Sequence, residues 1–369
     1  MTTRTKIVLV AGARPNFMKV APIIRELRKH EDLFDWSLVH TGQHYDRGMS
    51  DVFFQELGIP EPNFHMGAGG GSHAEQTARI MVAFEKYCEA QKPDLVMVVG
   101  DVNSTLACSI VAKKLNIKVA HVEAGLRSGD MRMPEEINRM VTDAISDYFF
   151  VTEPSGVENL RREGHSEDQI HFVGHVMIDN LFYQVEQLKD LGTSAYPTAV
   201  LKQKLGRYGV VTLHRPSNVD DETALRGIAG ALTDIAHDLP LIFAIHPRTA
   251  QTLEKFGIAL PDTIICTAPL PYMEFLNLWK EAALVLTDSG GLQEETTALG
   301  VPCLTLRDNT ERPITIAEGT NVLVGHEPSR IVAAAAKALA LGSTKRGTRT
   351  GPELWDGRSA GRIIRVLMS

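Results

Sequence analysis

Short runs of β-branched and aliphatic residues alternate with amphipathic segments of helical length from one end of the chain to the other. This pattern predicts parallel sheets joined by crossover helices. The first series of predicted strands covers 6–10, 36–40, 94–99, 118–121, 148–151 and 170–173. A second series covers 209–213, 241–245, 263–266, 284–287 and 303–306. Between them, 191–199 carries Gly192, Ser194 and Pro197, lacks hydrophobic periodicity and reads as part of a hinge. The expected fold is therefore α/β: two Rossmann-like doubly wound domains, 1–190 and 191–369, with a cleft between them. The tail SAGRIIRVLM is a predicted helix with Ile363, Ile364 and Leu367 on one side, free by pattern to pack on either domain. GAGGGSH at 67–73 reads as a flexible loop.

Composition narrows the classes. With 369 residues, 44% hydrophobic and 22% charged, the chain can bury two ordinary cores. Its longest apolar runs, such as LVMVVG at 95–100, are strand-length and far short of the ~20 residues that span a bilayer. The opening MTTRTKIVLVAGARP reads as a first strand rather than a signal peptide, so a cytoplasmic protein without a membrane partner is expected. A net charge of −7 argues against a general nucleic-acid surface but leaves room for a local basic pocket. Four scattered cysteines with no C-x-x-C pair suggest neither disulfides nor a metal site.

In parallel α/β sheets ligands bind at the carboxyl ends of strands. There the chain places GARPNFMK, GDVNST and EAGLRSGD in the first half, and HRPSN, HPRT, DSGGLQEE and RDNTERP in the second. In TDSGGLQEETTALG, Ser289 should cap a helix whose first turn holds Gly290 and Gly291, leaving amides open to an anion such as a pyrophosphate. Glu295, about one and a half turns along, can accept two ribose hydroxyls. Arg14 and Lys19 at the mouth of the first strand, with Arg312 after the last long strand, can neutralise a diphosphate. The G-x-G-x-x-G fingerprint is absent, which lowers a nicotinamide reading.

Asp101 and Glu123 each emerge from a buried strand, where an acid needs a partner or a task. Glu135 opens the helix PEEINRMVTDAIS, whose Ile137, Met140, Val141, Ala144 and Ile145 form an apolar stripe. The wheel sets Glu135 on the polar side with Arg139, as for any acid near a helix N-terminus. His214 and His246 stand at strand ends, in positions that serve structural and catalytic histidines alike. Phe275 lies in PYMEFLNLWKEA, where Tyr272, Phe275, Leu276 and Trp279 have core spacing.

Taken together, GARPNFMKVAPI, TGQHYD, GDVNSTLA, HVEAGLRSGD, MPEEINR, LTDSGGLQEE and RDNTERP resemble the non-hydrolysing UDP-N-acetylglucosamine 2-epimerases, a family of glycosyltransferase B type fold. The resemblance implies interconversion of UDP-N-acetylglucosamine and UDP-N-acetylmannosamine, without metal or nicotinamide, for cell-surface polysaccharide precursors. It implies that Arg14, Lys19, His246, Ser289, Gly290, Gly291, Glu295 and Arg312 hold the nucleotide sugar, with Phe275 against the uracil. It places Asp101, Glu123, Glu135 and His214 in the catalytic area. A homodimer acting on a UDP-N-acetylhexosamine is expected. Two segments depart from the family pattern. Many members have HRRE where this chain has His214-Arg215-Pro216-Ser217, and many have QHR at Gln43-His44-Tyr45. These positions border a second, activating site known in some members. Features shared with relatives that act on modified UDP-N-acetylhexosamines leave the sugar's substituents open. A glycosyltransferase of the same fold is the rival enzyme, and a non-catalytic nucleotide-sugar sensor the rival outside enzymes.

Overall fold

The computed structural model describes residues 4–42, 51–192, 196–341 and 351–369. By its internal contacts the chain divides into two units, Met1–Tyr183 with Glu353–Ser369, and Gln184–Pro352. The first holds a seven-stranded, all-parallel sheet in the order β3-β2-β1-β4-β5-β6-β7. Its strands are β1 (Thr5–Ala11), β2 (Phe34–His40), β3 (Phe64–His65), β4 (Leu95–Val99), β5 (Lys118–Val122), β6 (Tyr148–Val151) and β7 (Ile170–Phe172). The second unit holds a six-stranded parallel sheet in the order β10-β9-β8-β11-β12-β13. These strands are β8 (Gly209–Thr212), β9 (Leu241–Ala244), β10 (Ile264–Thr267), β11 (Leu284–Thr287), β12 (Cys303–Thr305) and β13 (Asn321–Leu323).

The central strands are apolar at every position because helices cover both faces of each sheet. Along β1, Ile7 and Leu9 face one core while Val8 and Val10 face the other. Along β4, Leu95, Met97 and Val99 take the first side and Val96 and Val98 the second. Strand order reverses between β1 and β4 in one unit and between β8 and β11 in the other. At such a switch point the flanking connections run to opposite sides, leaving a crevice at the carboxyl ends of the strands. Asp101 follows β4, and Ser289 follows β11.

The structure departs from several expectations. The short edge strands β3 and β13 escape the sequence reading, because two or three residues carry no periodicity. The first unit ends at Tyr183 rather than 190. Of the two domains its pattern allowed, the tail packs on the first: Ile363 and Ile364 are buried in the core of β1 and β4, and Leu367 packs against it. The tail helix Ser359–Met368 is anchored by Asp179, whose carboxylate accepts from the amides of Ser359 at 3.0 Å and Ala360 at 2.7 Å. The glycine-rich stretch at 67–73 leads into a capping box. The Ser72 hydroxyl accepts from the Glu75 amide, and the Glu75 carboxylate accepts from the Ser72 amide.

The helix Pro134–Ile145 is turned the other way from its wheel. Its buried residues are Glu136, Asn138, Thr142 and Asp143. Ile137, Met140 and Val141 are 44%, 39% and 38% exposed. The polar side faces inward because each buried group has a partner there: Glu136 takes the amides of Ser128 and Gly129, Asn138 donates to the Asp101 carbonyl, and Asp143 meets His121. Satisfied polar groups can displace an apolar stripe from a core when the fold supplies their donors and acceptors.

Candidate active site

In the first unit the acids gather at the carboxyl ends of β4 and β5. Gly100, at φ +68°, turns the chain out of β4. A side chain there would crowd the Lys19 ammonium at 2.9 Å and the Glu123 carboxylate at 3.5 Å. Glu123 leaves β5 at φ +71°, is 5% exposed, and its carboxylate is ion-paired with Lys19. A left-handed conformation costs a residue with a Cβ on the order of 1–2 kcal/mol. It is fixed by the Glu123 amide donating to the Phe150 carbonyl at 3.0 Å. Asp101 is partly exposed and pairs with Arg139 at 2.5 Å, which also holds Glu136 at 2.8 Å. Burial raises the Glu136 carboxyl, but the amides of Ser128 and Gly129 and the Arg139 guanidinium bring it below its ordinary value. Asn16, buried, accepts from the amides of Gly12 and Ala13 and so sets the turn after β1.

Lys19, expected at a diphosphate, is thus brought to Glu123. Glu135 occupies the second position of its helix and is half-buried, while the inward-facing acid is its neighbour Glu136. Arg14 opens the helix Arg14–Leu27 on the exposed side, where its charge lowers the carboxyl of Glu56 against a larger rise from burial. Gln43, His44, Tyr45 and Asp46 lie outside the described residues.

In the second unit the end of β11 is the organising point. Asp288 is fully buried and accepts from the amides of His214 at 3.0 Å and Arg215 at 2.9 Å, from the Asn218 side chain at 3.0 Å, and pairs with His214 Nδ1 at 2.8 Å. Burial pushes its carboxyl up, but His214 and these amides hold it below the ordinary aspartate range. The helix Gly290–Leu299 starts immediately afterwards. Ser289 takes the N-cap position, yet its hydroxyl caps no amide, contrary to the capping role expected of it. Among the described residues beyond the helix's own backbone, nothing lies within 4 Å of a side chain built at Gly291, and a Glu311 carboxylate oxygen lies 3.9 Å from one built at Gly290. The amides of this first turn are therefore sterically accessible to an anion. Arg312 pairs with Glu294 of the same helix at 2.5 Å. Arg215 and Arg307 lie 3.8 Å and 3.1 Å from Glu311.

Glu295 is buried within this helix and accepts from the Tyr272 hydroxyl at 2.7 Å. Phe275 is half-buried, while Leu276 and Trp279 on the same helix are buried. Core spacing therefore separates into two true core residues and an aromatic ring that keeps contact with solvent. His246 is exposed and caps the helix Pro247–Lys255, its Nδ1 accepting from the Arg248 amide at 3.3 Å.

A sequence model of the UDP-N-acetylglucosamine 2-epimerase family matches residues 25–368. The chain belongs to that family. It is 42% identical to a UDP-N-acetylglucosamine 2-epimerase of Methanocaldococcus jannaschii, over 98% of each chain. It is 38% identical to a UDP-2,3-diacetamido-2,3-dideoxy-D-glucuronate 2-epimerase of Pseudomonas aeruginosa, over 98% of this chain and 99% of the relative. A crystal structure of the M. jannaschii enzyme in complex with UDP-GlcNAc and UDP superposes with a TM-score of 0.81 at 40% identity, over 99% of each chain. The two parallel-sheet units are thus those of a UDP-N-acetylglucosamine 2-epimerase with a glycosyltransferase B-like fold. Among the described residues, no helix is long and apolar enough to cross a membrane, and no group of three or more His, Cys, Asp or Glu could hold a metal ion.

In this family member the sequence reading missed Glu136, His121, Asp143 and Asp288. Glu136 adjoins another glutamate, and nothing in the sequence says which one turns inward. His121 and Asp288 lie within quoted motifs, and a polar residue inside or directly after an apolar strand is the signal that could have found them.

Burial pushes the Glu295 carboxyl up to about 7; the Tyr272 hydroxyl opposes this rise and the charge of Glu294 adds to it. In the free protein this raised carboxyl costs stability as pH climbs from its ordinary 4.5 to about 7, because the unfolded chain loses its proton first. Ribose hydroxyls are accepted best by the ionised form. If Glu295 receives them, affinity for UDP should rise with pH, by up to about tenfold per unit below pH ~7. The terminal phosphate of UDP itself titrates near pH ~6, so the comparison is with Glu295→Gln. Calorimetry should show a shallower pH dependence in that variant; identical profiles would remove Glu295 from ligand contact.

Proposed function

We propose that the protein is a non-hydrolysing 2-epimerase that reversibly converts UDP-N-acetylglucosamine into UDP-N-acetylmannosamine, supplying precursors for cell-surface polysaccharide. The observation that carries this reading is the Lys19–Glu123 pair at the end of β5, with Asp101 following the neighbouring strand β4. A C2 proton of the sugar is poorly acidic. Departure of UDP from C1 leaves an oxocarbenium-like centre, and a positioned carboxylate can then remove the proton. Elimination gives 2-acetamidoglucal and UDP, and re-addition with protonation on the opposite face inverts C2. Two acid/base groups are required, and Asp101, Glu123 and Glu135 supply the carboxylates. The ion pair with Lys19 fixes where the Glu123 carboxylate stands.

The nucleotide falls to the second unit. In this reading the Gly290–Gly291 turn and Ser289 receive the diphosphate, with Arg312 adding positive charge, Glu295 takes the ribose, and Phe275 stacks on uracil. His214, fixed through Nδ1 by Asp288, acts at the leaving diphosphate. His246 serves this unit as a helix cap and contributes to binding by shaping that loop.

The 38% identical P. aeruginosa relative supports a second reading, in which the sugar is a modified UDP-N-acetylhexosamine. Incubation with UDP-N-acetylglucosamine alone, followed by chromatography, separates the possibilities. An equilibrium pair of UDP-sugars supports the first reading. Release of UDP with free N-acetylmannosamine identifies a hydrolysing enzyme, and an unchanged substrate points to a modified sugar or to a transferase awaiting an acceptor.

A cytoplasmic homodimer is part of the proposal. The exposed Ile137, Met140 and Val141 face gives one surface of the first unit something to bury against a second copy. Met140→Glu is expected to shift the mass measured by light scattering from two chains to one. A dimer that persists at micromolar concentration would exclude this face.

A further inference from the structure

We propose that His121 and Asp143 are positioning residues for the reaction, a buried hydrogen-bonded clamp that sets the backbone on either side of Asp101 and Glu123 in one register. The inference rests on the epimerase reading above and concerns two side chains to which that reading gives no role.

His121 is fully buried in β5. Its Nε2 lies 2.8 Å from the Gly100 carbonyl, and its Nδ1 lies 2.6 Å from Asp143 Oδ1. A carbonyl oxygen can only accept, so Nε2 carries a hydrogen. Asp143 already accepts from the Gly125 amide at 3.0 Å and pairs with the Arg127 guanidinium at 2.7 Å, both through Oδ2. Burial pushes the Asp143 carboxyl up, but His121 and Arg127 hold it below the ordinary aspartate range. Asp143 therefore faces Nδ1 as the Gly100 carbonyl faces Nε2, so the ring bridges the two turns. Arg127 is itself tied to Glu163 at 2.6 Å, which extends the ionic chain outward.

What this clamp holds gives it its role. Gly100 is the residue before Asp101, and Gly125 stands two residues after Glu123. Both glycines have positive φ, as has Glu123 itself, so both loops leave their strands in conformations that the chain does not favour by itself. A side chain on Gly125 would meet the Gly156 carbonyl oxygen at 2.3 Å, so this turn is packed directly on neighbouring backbone. The Gly100 amide donates to the Val122 carbonyl at 3.0 Å, which completes a ring of contacts around the two acid-bearing turns. A hydrogen bond to a carboxylate in a dry environment is short and directional. A side chain without the two ring nitrogens would leave the Gly100 carbonyl or Asp143 without its partner. The separation between Asp101 and Glu123 is thereby tied to two side chains that need not touch substrate.

Steady-state kinetics of Asp143→Asn, His121→Phe and His121→Gln test the clamp. A base displaced by about 1 Å loses on the order of 10²-fold in rate. Asp143→Asn and His121→Phe should therefore lose about that much kcat, with KM within about threefold. His121→Gln, which keeps a donor for the Gly100 carbonyl, should regain part of the loss. A kcat within threefold of wild type in a folded Asp143→Asn protein would overturn the proposal, as would a loss expressed wholly in KM.

Wild-type protein labelled with ¹⁵N-histidine provides an arm that depends neither on the variants folding nor on the substrate. The proton on His121 Nε2 that the Gly100 carbonyl accepts should exchange slowly, and a rapidly exchanging or absent Nε2 proton would overturn the clamp. A wild-type protein that epimerises no UDP-sugar, yet shows this protected ring proton, would sink the functional reading and leave the structural clamp standing.

Discussion

Glu123→Gln should lose at least ~10²-fold in turnover while UDP binds within about threefold of its wild-type affinity. The carboxylate is 5% exposed, paired with the Lys19 ammonium and held in a left-handed turn that the surrounding backbone stabilises. Glutamine keeps the shape and removes both the basic oxygen and the counter-charge of Lys19. In the proposed reading the nucleotide groups lie in the second unit, so the change should separate chemistry from binding. Calorimetry of UDP binding together with initial rates gives both quantities. Near-normal turnover in Glu123→Gln would take this residue out of the proton transfer.

The second large effect is expected at Asp288. Its carboxylate is fully buried and seats the loop after β8 through the amides of His214 and Arg215 and the side chain of Asn218. Removing the carboxylate strands the amides of His214 and Arg215 and the buried Asn218 side chain, at about 1–3 kcal/mol for each donor left unsatisfied. Asp288→Ala should therefore lower stability in urea by on the order of 3 kcal/mol and reduce turnover, because His214 loses its anchor. Asp288→Asn keeps part of the acceptor set and should lie between. The wild-type contribution has a pH sign: the folded carboxyl is held below its ordinary value of 3.8, so this stabilisation is present above that value and is lost as pH falls through the depressed range. A destabilisation below ~1 kcal/mol in Asp288→Ala would mean that the loop is held by other contacts.

The parts of this molecule that could be read from residues are those in which local pattern and global fold agree. Runs such as IVLVA and LVMVVG are buried on both faces and cannot be mistaken for surface, so the central strands of both sheets were legible. The Asp-Ser-Gly-Gly turn into a helix was legible for a similar reason, because its glycines leave the first-turn amides uncovered. The helix Pro134–Ile145 was misread because periodicity records only which residues could be buried together. It does not record that Ser128, Gly129, His121 and the Asp101 carbonyl wait as partners for Glu136, Asp143 and Asn138. The division at Tyr183 and the return of the tail depend on contacts between Asp179 and Ser359, 180 positions apart, which no local window contains. Phe275 was ambiguous because a ring that packs and a ring that stacks share one spacing, and only its partial exposure separates it from Leu276 and Trp279.

The central claim is that one bound UDP-sugar loses and regains a proton at C2 through elimination of UDP. Proton NMR of UDP-N-acetylglucosamine with the enzyme in deuterated water tests it in a single tube. The account predicts that UDP-N-acetylmannosamine signals grow in with deuterium at C2 and that the C2 proton of the remaining substrate washes out as the reverse reaction proceeds. Product that keeps its C2 proton, or free N-acetylmannosamine accumulating with UDP, would contradict it.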